Sequence, residues 1–187
     1  AELVWRDSRD KRLKPIDALK IYALKTAPAF EAALYSGIRL AGPADDHGGP
    51  IRQFARNLGV AFQILNDLAD WHGDNHNKIV SGGDAFGGRP TILWALALEG
   101  LQPEQQQELF SMVGQDATGN GFCVSRVRQL YQQAGVFEKA HRLIDKYQQR
   151  AQEVADSIEP AALRRLLCFL IDTVLQRSVD SYSESIE

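Results

Sequence analysis

Apolar residues recur at three- and four-residue spacing along nearly all of the 187-residue chain, and no segment sustains the two-residue alternation of a strand. Prolines and glycines divide this pattern into helices. Pro15, followed by Ile16 and Asp17, stands where a helix starts, and the spacing predicts one helix from there to about Leu40, ended by Gly42-Pro43. Residues 44–50, Ala-Asp-Asp-His-Gly-Gly-Pro, read as a loop. A second long helix is expected over Ile51 to His72. Others follow from Pro90 to about Glu99, from Pro103, over 123–134, over 136–157, and from Pro160 to about Val179, with a fraying polar tail at 180–187. The expected fold class is all-α, a helical bundle in a single domain over 1–187. Ala1-Glu2-Leu3-Val4-Trp5-Arg6 begins in mid-pattern, with no initiator methionine or capping signal, as though continuing a helix that starts earlier.

The helix expected at 51–72 has two unlike sides. At about 100° per residue, Phe54, Leu58, Ala61, Leu65 and Leu68 share one face, while Gln63, Asn66, Asp67 and Asp70 gather on the other. Between Gly59 and Leu65 the only polar side chain is Gln63, so an acidic cluster grows out of a deeply apolar helix. Carboxylates in such a place require cations, hydrogen bonds or water. The bland alternative is a solvated face at a helix end. Residues 73–90 come next, rich in glycine and carrying Asp74, Lys78, Asp84 and Arg89 without apolar periodicity. A loop of that length in a compact domain is usually functional or disordered.

Composition narrows the classes. Lys and Arg total 21 against 24 Asp and Glu, a net charge of −3, which argues against nucleic acid or an anionic membrane as the main partner. The longest apolar run, Ile92 to Leu98, is far too short for an integral membrane segment, and no signal peptide is visible. Cys123 and Cys168 both lie in apolar surroundings and read as reduced core thiols, which points to the cytoplasm.

Asp67 and Asp70, three residues apart, project from neighbouring turns of one face. Oxygen ligands of this kind suit Mg²⁺, which binds through one or two carboxylates plus substrate phosphates and keeps several waters. Asn66 adds an amide oxygen, a weaker ligand. Lys25-Thr26 falls mid-helix in an apolar context, and a buried lysine needs an anionic partner such as a diphosphate. Lys78 and Arg89 on the glycine-rich loop are candidates for the same anion. Taken singly, Lys78 and Arg89 read more simply as solvated loop charges, and the bland alternative for Lys25 is an ordinary ion pair. As a set these residues describe a Mg²⁺–diphosphate site.

The string Phe62-Gln63-Ile64-Leu65-Asn66-Asp67-Leu68-Ala69-Asp70 resembles the second aspartate-rich motif of the trans-polyprenyl diphosphate synthases. Lys25-Thr26-Ala27-Pro28-Ala29-Phe30 resembles that family's Lys-Thr pair, and Asp84 with Gly88-Arg89-Pro90-Thr91 resembles its Gly-Lys-x-Thr step into the next helix. The resemblance runs from about residue 1 to 178. It implies the helical bundle of the isoprenoid-synthase type, here lacking the N-terminal helices, and a prenyltransferase that joins an allylic diphosphate to isopentenyl diphosphate. Mg²⁺ ions held between two aspartate-rich motifs draw off the diphosphate in that family. Carried over, Asp67, Asp70 and Asn66 serve the metal, Lys25, Thr26 and Gln63 the catalytic step, and Lys25, Lys78 and Arg89 the substrate diphosphate.

Three departures qualify what the resemblance implies. Asn66 stands where the family has a first Asp, so binding of one metal ion should be weaker. Asn77-Lys78 and Arg89 replace Gly-Lys and Lys, keeping charge but not geometry. The first aspartate-rich motif is absent, and Asp45-Asp46-His47 does not replace it because it lies in the loop between the two motif helices. The chain alone is therefore expected not to condense prenyl diphosphates, and to expose an apolar face that a complementary N-terminal polypeptide or a homodimer would cover. The alternatives are a catalytically inactive homologue acting as a binding or regulatory subunit and, less consistent with Lys25-Thr26, a terpene cyclase of the same bundle.

Overall fold

The computed structural model describes residue 5 and residues 11–42, 47–72, 83–112 and 121–183, and every regular element among them is helical. The order is α1 (Pro15–Lys25), α2 (Ala27–Ala41), α3 (Gly48–His72), α4 (Gly83–Phe86), α5 (Ile92–Gly100), α6 (Pro103–Met112), α7 (Gly121–Gln133), α8 (Val136–Asp156) and α9 (Ala161–Ser183). The all-α expectation holds. The short helix α4 lies within the stretch read as a loop over 73–90, and among the other boundaries that differ from the sequence reading three have a clear local reason.

The single helix expected from Pro15 to Leu40 is two helices, broken at Thr26. Pro28 has no N–H to give the carbonyl of Leu24, and its ring crowds that carbonyl, so the chain starts a new helix with proline in its first turn. Helix α3 starts three residues earlier than expected, at Gly48, because Pro50 falls in its first turn, where no intrahelical N–H is needed. Helix α9 runs on through Ser183, with no Gly or Pro after Val179 to stop it.

The chain divides into two compact units, each built from two distant stretches: residues 1–21 with 66–142, and residues 22–65 with 143–187. The division falls within α3, between Leu65 and Asn66. In the first unit, Leu68, Trp71, Ile92, Leu93, Trp94, Leu109, Leu130 and Tyr131 form the core. Helix α7 packs on α5 and α6 there. The Trp94 indole N–H donates to the carbonyl of Lys11 at 2.8 Å, tying the segment before α1 to this core. In the second unit, Phe54, Leu58, Ile64, Leu167 and Ile171 are buried. Gly59 is required in that unit, since a Cβ at this position would lie 2.9 Å from the Cα of Ala27. The close approach of α2 to α3 depends on that bare backbone.

Candidate active site

In the second unit, the contact of Ala27 with Gly59 sets the start of α2 against the middle of α3. The Thr26 hydroxyl donates to the side-chain carbonyl of Gln63 at 3.0 Å. Phe30 and Phe62 meet edge to face beside it, with ring centroids 5.8 Å apart. Two residues predicted from separate motifs are thus brought into direct contact. Lys25 differs from the reading of a buried, mid-helix lysine: it is the exposed last residue of α1. There its ammonium lies at the negative end of the helix dipole and keeps its hydration, so burial imposes no demand for an anion.

In the first unit, the acidic residues at the end of α3 hold the segment that follows. Asp67 is 2% exposed, and its Oδ2 accepts the backbone N–H of Ile92, the first residue of α5, at 3.3 Å. The Thr91 hydroxyl accepts the N–H of Trp94 at 3.2 Å, so Asp67 and Thr91 together satisfy two donors at this helix start. Asp70 Oδ2 accepts the N–H of Asp84 at 3.1 Å. After α4, Gly88 takes a positive φ of 61° and turns the chain so that Arg89 comes back to Asp84. The Arg89 guanidinium meets the Asp84 carboxylate at 2.8 Å, and its backbone N–H donates to the Asp84 carbonyl at 2.9 Å.

Charge in this region is predominantly negative. Burial raises the Asp70 carboxyl above the ordinary range, and the neighbouring Asp84 charge adds to the shift; N–H groups of Asp84 and Gly83 and the Arg89 charge oppose it. Tyr131 was not singled out by the sequence. It is fully buried, and its hydroxyl has no hydrogen-bond partner among the described residues. Burial pushes its phenol far up, and the charges of Asp67, Asp70 and Asp84 push it further, so it stays a neutral hydroxyl. Its ring lies against that of Trp71, with centroids 4.9 Å apart, and Arg128 donates to the Trp71 carbonyl. Helical spacing marks Tyr131 only as a core position, and nothing local ties it to an acidic motif 60 residues earlier.

Asn66 is exposed on the same turn. Lys78, most of the glycine-rich loop and Asp45-Asp46 lie outside the described residues. Among the described residues, no three His, Cys, Asp or Glu side chains converge as a metal cage. The donors suit instead a hard cation shared with a ligand's phosphate oxygens: Asp67 and Asp70 stand on adjacent turns, and burial raises the half-buried Asp70 carboxyl more than its N–H donors and Arg89 lower it. No helix among the described residues is long and apolar enough to cross a membrane.

Comparison with known proteins supplies the family. Residues 2–134 match the family model for polyprenyl synthetase. The chain belongs to the polyprenyl synthetase family. It is 29% identical over 161 residues to the all-trans-nonaprenyl-diphosphate synthase (geranyl-diphosphate specific) of Rhodobacter capsulatus, covering 85% of this chain and 48% of that protein. With the octaprenyl diphosphate synthase of Escherichia coli K12 it shares 31% identity over 139 residues, covering 74% of this chain and 40% of that one. The chain thus spans about half the length of the curated relatives it matches. The fold likewise resembles the crystal structure of a geranylgeranyl pyrophosphate synthase from Corynebacterium glutamicum complexed with isoprenyl diphosphate and magnesium. The TM-score is 0.81 at 21% identity, over 94% of this chain and 50% of that one. A polyprenyl synthase from Caulobacter crescentus complexed with calcium and isoprenyl diphosphate matches with a TM-score of 0.75 at 25% identity, over 90% of this chain and 51% of that one.

Proposed function

We propose that this polyprenyl synthetase chain carries the second aspartate-rich half of a trans-prenyltransferase site, which condenses an allylic diphosphate with isopentenyl diphosphate. The observation that carries the reading is the Asp70–Asp84–Arg89 constellation, with Asp67 fixing the start of α5 beside it. Asp67 and Asp70 are the residues to hold Mg²⁺, with Asn66 as a weaker oxygen donor. When bound together with a diphosphate, the cation neutralises charge developing on the leaving group. Lys25, Lys78 and Arg89 bind the diphosphate, Arg89 by exchanging part of its contact with Asp84. Gln63, oriented by the Thr26 hydroxyl, presents its amide to the reacting end of the allylic chain.

The partners in this reading are the two diphosphate substrates and either a complementary N-terminal polypeptide or a second copy as a homodimer. Exposed Leu24, Leu40 and Phe169 support a need for cover. Cys123 and Cys168 form no disulfide and are half-buried rather than core thiols, a state consistent with the cytoplasm. By itself the 187-residue chain forms no allylic product. The test is incubation of the purified chain with both substrates and Mg²⁺, with and without the N-terminal half of a relative; product from the chain alone refutes the division of the site. Calorimetry with an allylic diphosphate then reads the site directly: Mg²⁺-dependent binding lost in Asp70→Asn supports it.

A second reading is a catalytically inactive binding or regulatory subunit. It is favoured by Asn66 and by the hydrogen bond that already occupies one oxygen of Asp67. Association with another polypeptide that ignores Mg²⁺, without any diphosphate affinity, would establish it.

A further inference from the structure

A second polar region of the chain lies on α3 well before the acidic motif. Within the unit formed by 22–65 and 143–187, the first half of α3 and the second half of α8 flank an open cleft of about 760 Å³, a size suited to a small ligand. Arg56 and Asn57 line it from α3, and Tyr147, Arg150 and Glu153 line it from α8, with Ser157 just beyond that helix.

Two observations set this cleft apart from an ordinary charged surface. Arg56 and Arg150 approach it from different helices, and neither has a carboxylate partner among the described residues; Arg150 instead stacks over the Tyr147 ring at 5.5 Å from its centroid. Asn57, only 7% exposed, also lines the cleft from α3. Glu153 is the only acidic residue among the described residues of the lining, and Gln149 donates to it.

Two planar guanidiniums, the Tyr147 hydroxyl and the Asn57 amide together suit a tetrahedral oxyanion, while the Ser157 hydroxyl already donates to the Val154 carbonyl at 2.7 Å. Arginine forks match phosphate bidentately, and the Asn57 amide N–H is a further donor in the lining. We propose that this cleft binds a phosphate dianion, as the phosphomonoester or diphosphate end of a soluble small molecule, without the help of a divalent cation. The absence of a cation requirement separates it from the Asp67–Asp70 region, whose carboxylates repel any phosphate unless a metal intervenes.

The test is a calorimetric titration of the protein with inorganic diphosphate in excess EDTA. Saturable binding is expected, weakened about tenfold or more in Arg56→Ala and in Arg150→Ala, each of which removes a charged hydrogen-bonding partner from an exposed position. Lys25→Ala and Arg89→Ala should leave it unchanged. Glu153→Gln should tighten it, a gain that damage to the fold does not mimic. Absence of saturable binding overturns the proposal, as does an affinity indifferent to Arg56 and Arg150 or lost in Lys25→Ala. A response to vesicles of phosphatidic acid in phosphatidylcholine, with none to soluble diphosphate, also overturns it.

Discussion

Helix α3 carries two polar regions of opposite character, and its two ends belong to different compact units. In its first half, Arg56 is exposed and the buried Asn57 lines a cleft beside it. In its last turns, Asp67 and Asp70 are held by backbone N–H groups of the chain that follows. The comparison teaches that burial alone does not define a site. Asp67 is buried and satisfied, and its first effect is to fix the start of α5; the Tyr131 hydroxyl is buried and has no hydrogen-bond partner among the described residues.

The most severe way to break the acidic end is Tyr131→Ala. Removing a fully buried aromatic ring packed on Trp71 should cost about 3–5 kcal/mol in urea unfolding. Asp67→Ala follows, because it strips the N–H of Ile92 of its acceptor in a buried place; a loss of about 1–3 kcal/mol is expected by the same measurement. In the other unit, Gly59→Ala forces apart α2 and α3 and should cost about 1–3 kcal/mol. It should also weaken allylic diphosphate binding by displacing Thr26 from Gln63. A rise in stability would show that the helices yield there without strain.

Smaller effects sharpen the contrast between satisfied and unsatisfied groups. Tyr131→Phe removes a hydroxyl that has no partner among the described residues and should leave stability unchanged or raise it by about 1 kcal/mol. A loss of that size instead would mean that the hydroxyl is bonded in solution. Asp70→Asn has a sign set by pH. The folded pKa of Asp70 is raised, so the folded protein keeps a proton that the unfolded chain releases. The contribution favours folding at low pH and declines as pH rises from the ordinary carboxylate value through the raised one. Asp70→Asn should therefore gain on the wild type at neutral pH and lose that advantage in acid, as read from urea midpoints across that window. Mg²⁺ with a diphosphate should raise the wild-type melting temperature and leave that of Asp70→Asn nearly unmoved.

Much of this was legible along the chain because helical periodicity and the punctuation by Pro and Gly are local. The long α3, the start of α5 after Pro90 and the polar stripe of Gln63, Asn66, Asp67 and Asp70 all follow from spacing. The break at Thr26 was legible too, since Pro28 denies Leu24 its hydrogen bond; treating the apolar spacing as continuous hid it. The exposure of Lys25 followed from that break.

What the amino-acid sequence determined by itself is the helical class, the family motifs and the residues that line the acidic stripe, since each depends on neighbours within a few turns. The tertiary structure alone decided that Asp67 holds the first N–H of α5, that Tyr131 lies buried and unpaired within the field of three carboxylates, and that Arg56 and Arg150 face one cleft. Those relations join positions 25 to 94 residues apart. Hydrogen bonds and electrostatic fields act over a few ångströms of space, so chain spacing carries no record of which distant groups come within that reach.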